Sequence, residues 1–218
     1  MIKNTQVILK SGKEISIKRM HPLIFSGAIK GLSGEVKEGD LVDVFSNHGE
    51  FLGTGHFQPG TIAVRMLSFI KAEINFDFWE RKIEDAFQLR KNAGFIDNPG
   101  SNVYRLINAE GDMMPGLVVD YYNGTAIMQM HSVGMYLVRG EIVEALKKVL
   151  GDKLGCIYDK SDTTLPFKAG INAKPEYLYG SPGENKVMEN GNTFYIDWEE
   201  GQKTGFFIDQ RENRKLLG

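Results

Sequence analysis

The sequence predicts a mixed fold: a small all-β barrel, then an α+β domain, then a β-hairpin at the entrance to a further domain. Three observations carry that expectation. Residues 1–72 divide into brief β-branched runs separated by turns, at the spacing of a small barrel or sandwich. Residues 73–183 alternate strand-like runs with two stretches of helical period. From residue 184 onward an Asn-Gly turn precedes a Gly-punctuated segment that runs into a helix start.

Val7–Leu9 and Ile15–Ile17 flank Ser11-Gly12-Lys13 and read as a hairpin. Gly39–Val44 alternates as a half-buried strand does, and Ser46–Gly49 is the turn after it. Phe51–Phe57 and Thr61–Leu67 are two more strands around Gln58-Pro59-Gly60. A helix is expected over Phe76–Asn92, because Trp79, Ile83, Ala86, Phe87 and Arg90 share one face and Gly94 supplies a stop. Val103–Ile107, Leu117–Tyr121 and Thr125–Met130 read as strands, the last two joined by the hairpin turn Asn123-Gly124. A second helix over Met135–Leu150 aligns Val138, Ile142, Ala145, Leu146 and Val149, and Cys156–Tyr158 is a buried strand. The middle block is therefore one sheet with helices on one side. Lys186–Glu189 and Asn192–Asp197 flank a second hairpin turn, Asn190-Gly191. Asp209 and Glu212, three apart, form a capping-box-like pair at a helix start. That helix has room for about two turns, and isolated helices so short are marginal; the expectation is a domain cut off at its entrance.

At 42% hydrophobic and 25% charged residues, the chain has the means for real cores and no signature of wholesale disorder. One cysteine, Cys156, excludes an internal disulfide framework and fits a reducing, cytoplasmic setting. No apolar stretch reaches the length of a membrane span. The net charge of −2 is uneven: residues 1–72 carry nine Lys/Arg against six acids. A locally basic face can meet phosphates without drawing the whole chain onto nucleic acid, although an ordinary solvated face accounts for the charges equally well.

No Walker loop and no Gly-x-Gly-x-x-Gly are present. The four histidines, His21, His48, His56 and His131, lack a metal-ligand spacing, so no metal site is expected. Cys156 lies in an apolar run and reads as an inert core thiol; no catalytic residue is assigned. Three stretches remain. Lys18–Gly27 sets bases before a Pro-anchored turn and an apolar plug, readable as RNA contact or as a loop entering the barrel. Glu110–Leu117 is a structured loop with two acids, two glycines and a proline. Gln202–Phe207 with Asp209-Gln210-Arg211 sets paired aromatics before polar residues at a helix entrance, an arrangement suited to an aromatic ring or an anion.

On these stretches the chain resembles the S-adenosylmethionine-dependent class I RNA methyltransferases that carry an N-terminal PUA domain, and most closely the large-subunit (23S) ribosomal RNA cytosine-5 methyltransferases. His21-Pro22 with Ile24-Phe25-Ser26-Gly27-Ala28 is similar to a PUA segment in which Trp usually stands where this chain has Leu23. Glu110-Gly111-Asp112, Pro115-Gly116-Leu117 and Asp120 resemble a family loop, with Met113-Met114 as a departure. Tyr158-Asp159-Lys160-Ser161-Asp162 and Gly201–Arg211 with Asn213 resemble two further family motifs. The resemblance runs in order along essentially the whole chain.

It implies that residues 1–72 are a PUA-like RNA-binding β-barrel, 73–183 an α+β linker domain, and 184–218 the entrance to an α/β methyltransferase domain that is otherwise absent. It further implies a cofactor or target-base pocket bordered by Lys203, Thr204, Phe206 and Gln210, and RNA contact is expected from Lys18, Arg19, His21 and Arg65. The family's cofactor loop and nucleophilic cysteine have no counterpart here. Cytosine methylation at C5 needs a thiolate to add at C6 and a base lifted out of RNA structure. The parent enzyme is thus expected to use S-adenosylmethionine, while this chain alone is expected to bind none and to transfer no methyl group. Its expected partner is structured RNA, ribosomal in the first place. A free-standing RNA-binding adaptor without catalysis, and an interaction module without RNA, are the alternatives.

Overall fold

Val7 and Leu9, two positions apart on β1 (Thr5–Leu9), bury their side chains on one face of a curled sheet. The computed structural model describes residues 4–166 and 170–217. α1 (Glu14–Lys18) follows, then β2 (Leu23–Phe25), β3 (Ile29–Leu32), β4 (Leu41–Phe45), β5 (Phe51–Phe57) and β6 (Ile62–Ser68). The strand order is β2-β6-β5-β4-β1-β3. β2 and β3 stand at opposite ends of that order, yet only the turn Ser26–Ala28 separates them in the chain. Flat strands would put these edges far apart, so the sheet must curl round a shared core of Val7, Leu9, Ile24, Val42, Val44, Val64 and Met66.

Ile15–Ile17 is not the strand its β-branched composition predicts. It lies in α1, where Ile17 is buried in the barrel core and Ile15 faces solvent. The Ser11–Lys13 turn feeds this helix instead of a hairpin partner, because the edge position beside β1 is filled by β3. β2 and β3 give no strand signal in the sequence: three and four residues carry too little period to read, and their pairing with β6 and β1 is what makes them extended. Lys18–Gly27 accordingly contains a helix end and an edge strand, not only a loop.

The central unit opens with α2 (Phe76–Asn92), as predicted to the residue. The Asn75 side chain accepts the Phe78 N–H at 3.1 Å, Asp77 lies in the first turn and Arg90 and Lys91 in the last, each favourable to the helix dipole. β7 (Val103–Asn108), β8 (Leu117–Tyr122) and β9 (Thr125–Met130) form an antiparallel meander. α3 (Val133–Leu137) and α4 (Arg139–Leu150) cross over to β10 (Cys156–Asp159), parallel to β9, and β11 (Glu176–Gly180) closes the order β11-β10-β9-β8-β7. The helix expected over Met135–Leu150 starts earlier, where the Ser132 hydroxyl accepts the Met135 N–H, and breaks at Val138. β11 has no counterpart among the expected strands, its residues being mostly exposed.

α2 and α4 cover one face of this sheet, burying Trp79, Ile83, Leu106, Ile142 and Leu146. The other face is covered by the hairpin of β12 (Lys186–Glu189) and β13 (Asn192–Tyr195) with Ile196 and Trp198, packed on Val103, Tyr122 and Ile127. Asn102 staples it there, exchanging backbone and side-chain hydrogen bonds with Met188 at 3.0 and 2.7 Å. The last element is α5 (Arg211–Leu217). The expected capping box does not form: Asp209 lies in a 3-10 turn, Ile208–Gln210, and its carboxylate accepts the Gln210 side-chain amide at 3.1 Å. Among the described residues no helix is long and apolar enough to cross a membrane.

The barrel meets the central unit through His56 of β5. Its ring lies 6.5 Å from that of Trp79 on α2, and Gly134 of α3 presses against it so closely that a Cβ there would stand 2.2 Å from His56 Cγ. Burial, with the Arg65 charge adding to it, lowers the His56 pKa from 6.5 to about 4. The folded protein therefore binds fewer protons than the unfolded chain between those values, and stability falls as pH drops through that window. We expect acid to destabilise the chain by up to about 3 kcal/mol through this one group, at 1.36 kcal/mol per pKa unit. Chemical denaturation between pH 4 and 6.5 should show a slope that His56→Leu flattens.

Candidate functional site

Two surfaces hold the residues singled out from sequence. The first is the α1–β2 side of the barrel. Lys18 and Arg19 end α1, and Met20 turns the chain in the left-handed region at φ 64°. His21 Nδ1 sits 3.0 Å from the Leu23 carbonyl oxygen and 3.2 Å from the Leu23 amide nitrogen, contacts that orient the ring beside β2. A cavity of about 340 Å³ opens here, lined by Lys13, Ser16, Leu23, Ile24, Phe25 and Gly27. Leu23 and Phe25 stand on the same face of β2, and Phe25 is 48% exposed. An aromatic ring is therefore on offer two residues beyond the position where Leu23 replaces the usual Trp. Lys10 donates to the Gly27 carbonyl at 2.9 Å, so it both braces this rim and brings its charge to it. Lys18 pairs with Glu50 at 2.6 Å, both side chains being about half exposed, which leaves the pair easily exchanged for a phosphate. Arg65 does not join this group. It lies across from Leu23 in register, but it donates to Gln58 Oε1 at 2.5 Å and feels the charges of Glu110 and Glu38.

The second surface is the terminal motif. Asp120 of β8 has no solvent exposure, and its carboxylate is held by Arg105 through Nε at 2.8 Å and Nη2 at 3.0 Å. Thr204 Oγ1 donates to the same carboxylate at 2.6 Å. With that hydrogen committed, the Tyr122 hydroxyl must donate to Thr204 at 2.8 Å. Burial and then the Asp120 charge push the Tyr122 pKa up, so the phenol stays a neutral donor. Lys160 supplies a second clamp: its ammonium, almost wholly buried, donates to the carbonyls of Trp198 at 2.7 Å and Gly201 at 2.5 Å. A third clamp is Glu189, buried, which accepts Arg214 at 2.7 and 3.0 Å and Arg211 at 3.4 Å and so ties α5 to β12.

These clamps sort the four predicted pocket residues. Thr204 is buried with its hydroxyl engaged on both sides. Phe206 packs on Phe194 at 5.3 Å, with the Arg214 guanidinium 4.1 Å over its ring. Lys203 and Gln210 are exposed. Lys203 adopts φ +54°, uncommon for a residue with a side chain, and its ammonium lies 4.8 Å over the Phe207 ring. Lys203 and Gln210 thus reach the surface, Gln210 with its amide held between Asp209 at 3.1 Å and Asn213 at 2.7 Å, while Thr204 and Phe206 build the shelf beneath them.

The motif's glycines do not open a cradle for a nucleoside. A Cβ at Gly201 or Gly205 would stand 2.1 or 2.5 Å from the Asp197 carbonyl, so both glycines permit the segment's own close turn. The cavity nearest this segment, about 300 Å³ and lined by Tyr177, Asn185, Ile196 and Trp198, includes none of the four residues. Burial pushes the Cys156 thiol up to about 11, which suits a core residue and not a nucleophile. Among the described residues no group of three or more His, Cys, Asp or Glu is placed to hold a metal.

Asp120 and Lys160 fall in motifs that the sequence singles out, without a sign of this clamping role, and Arg105 and Glu189 fall in none. Their partners lie 15 to 84 positions away along the chain, beyond the reach of any local spacing rule.

Residues 7–69 match the family model of the PUA-like domain. Proteins named ribosomal RNA large subunit methyltransferase I are similar to the chain: that of Alteromonas mediterranea is 38% identical over 97% of this chain and 53% of its own length. That of Pseudoalteromonas atlantica is 37% identical over 98% and 54%. The chain spans about half the length of the curated relatives it matches. Among solved structures, "a putative sam-dependent methyltransferase" from Streptococcus mutans superposes with a TM-score of 0.81 at 25% identity, over 97% of this chain and 53% of that one. Another, "a putative methyltransferase complexed with SAH", gives 0.80 at the same identity and coverage.

Removing the Thr204 hydroxyl strands part of the Asp120 charge, so we expect Thr204→Val to cost about 1–3 kcal/mol. Thr204→Ser, which keeps the donor, should lose far less; urea denaturation of the two variants checks this.

Proposed function

We propose that this chain is the RNA-handling part of an S-adenosylmethionine-dependent methyltransferase acting on large-subunit ribosomal RNA, with cytosine C5 as the acceptor atom. The observation that carries the RNA reading is the α1–β2 surface of a PUA-like domain: a cavity, an exposed aromatic and a rim of cations in one place. Lys10, Lys13, Lys18, Arg19 and His21 would position the RNA backbone, and Phe25 offers a face on which an unpaired base can stack. Backbone contact of this kind favours structured RNA by shape, and leaves sequence choice to what the cavity admits. The relatives' names support ribosomal RNA as the target and S-adenosylmethionine as the cofactor of the parent protein. The choice of cytosine C5 rests on the motif resemblance alone.

In this reading Lys203 and Gln210 border the cofactor or target-base pocket from one side, and Thr204 and Phe206 hold their loop in place. When bound, the cofactor would supply the methyl group; this chain's part is to seat the RNA and present one wall of the pocket.

The 218-residue chain should bind large-subunit ribosomal RNA with an affinity that falls steeply with salt, roughly one released counterion per phosphate contact. Replacing Lys13, Lys18 and Arg19 together by Gln should weaken binding at least tenfold and flatten the salt dependence by about two units of slope. Filter binding across a salt series measures both. Salt-independent binding, or none, would remove the RNA reading.

A further inference from the structure

Arg65 belongs to the seam between the two units. β6 carries it beside β5, where it pairs in register with His56, the residue whose ring packs on Gly134 of α3. Three segments bring hydrogen-bond donors to this place, two of them charged. Burial, with Arg105 and Arg65 adding to it, holds the His131 pKa below its ordinary value, so that ring meets a phosphate as a neutral donor. Arg65 is half-buried, and its guanidinium lies within electrostatic reach of Glu110. His131, exposed just beyond β9, lies within reach of Glu110, Arg105 and Arg65. Arg105 on β7 turns Nε and Nη2 inward to Asp120, leaving Nη1 toward Asn108 at 3.5 Å.

Glu110 is held in this company by an unusual backbone. Ala109 and Met113, which bracket the turn, take φ values of +43° and +56°. Left-handed backbone is rare for alanine and needs support from its surroundings. Here Asp112 provides it: its carboxylate accepts both terminal nitrogens of Arg90 and the Asn108 N–H. Arg90 in turn donates from Nε to the Arg105 carbonyl at 2.9 Å. The loop is therefore built from α2 and β7, and it presents Glu110 to two bases of other segments without closing a salt bridge to either among the described residues.

We infer that this seam is a second phosphate-contact surface for the same RNA, formed by Arg65, His131 and Arg105, with Glu110 as the resident anion that a phosphate displaces. The inference rests on the RNA reading and extends it to the central unit. Leu23 of β2, on the first surface, pairs with Arg65. Arg105 shares Asp120 with Thr204, which adjoins Lys203. A backbone leaving the α1–β2 cavity thus meets cations in sequence across the seam, and arrives at the terminal motif. Glu110 gives the surface a testable sign: with Asp120 already committed to Arg105, and Glu38 also within reach of Arg65, it is the acid common to Arg65 and His131 that opposes a phosphate here.

The test is binding of the 218-residue chain to a labelled stem–loop RNA with a single-stranded extension, across a salt series, with thermal melting as a control for folding. Arg65→Gln and His131→Gln should each weaken binding about three- to tenfold, with Arg65→Gln lowering the salt slope by about 0.7–0.9. Glu110→Gln should tighten binding about threefold, a gain that structural damage does not produce. Arg105 stays intact, because its loss would strand Asp120. If the seam variants leave affinity and slope unchanged while the Lys13/Lys18/Arg19 variant loses both, the seam is not a contact surface and the barrel reading stands. If only the seam variants matter, the barrel surface is wrong and the seam survives. A Glu110→Gln variant that binds more weakly would overturn the resident-anion role.

Discussion

Asp120 carries a full charge into a place without solvent, and the surrounding structure is arranged to neutralise it. Removing one partner from a buried ion pair typically costs roughly 3–5 kcal/mol, because the remaining charge has no water to fall back on. Arg105 meets this demand from the neighbouring strand, and Thr204 from a segment 84 positions away. The terminal motif is therefore fixed to the central sheet by an electrostatic requirement, with Tyr122 completing the set. Lys160 and Glu189 repeat the device with opposite signs of buried group, one ammonium on carbonyls and one carboxylate on arginines. Each contributes precision of placement more than net stability, since the cost of desolvating a charge consumes much of what its partners return.

The same clamps explain why the terminal segment divides into support and surface. A threonine whose hydroxyl is shared by a carboxylate and a phenol has no capacity left for a ligand. A phenylalanine covered by a guanidinium and another ring has no free face. Lys203 and Gln210 are exposed, on a segment whose tight turn through Gly201 and Gly205 tucks its backbone against Asp197. A comparable division holds at the barrel. Ile17 and Ile24 face its core, while Ile15, Met20 and Phe25 remain exposed beside the basic rim. Apolar groups left in water next to cations suit a partner that is itself both flat and anionic, as a stacked and phosphorylated polymer is.

Long periodic elements are legible in the sequence itself. α2 over Phe76–Asn92 and the hairpins at Asn123-Gly124 and Asn190-Gly191 agree with expectation, because a seventeen-residue apolar stripe and a left-handed turn are local properties. α1 is not legible in this way: Ile15-Ser16-Ile17 has strand composition, and what makes it helical is that β3 already occupies the edge of β1. The break at Val138 is of the same kind, with Gly134 and Leu137 committed to His56 and Gly39 across the seam before α4 begins.

Motifs in the chain singled out three regions: the bases before Pro22, the Glu110–Leu117 loop, and the segment from Gly201 to Arg211. Composition and period established the order of a barrel, a helix-backed sheet and a hairpin. Which side chains in those regions are free was decided only by folding. Asp120 meets Thr204, Lys160 meets Gly201, and Arg65 turns from the barrel face to the seam through contacts between residues far apart in the chain. A buried charge takes whatever partner the fold brings within about 3 Å, and nothing in local spacing encodes that distance.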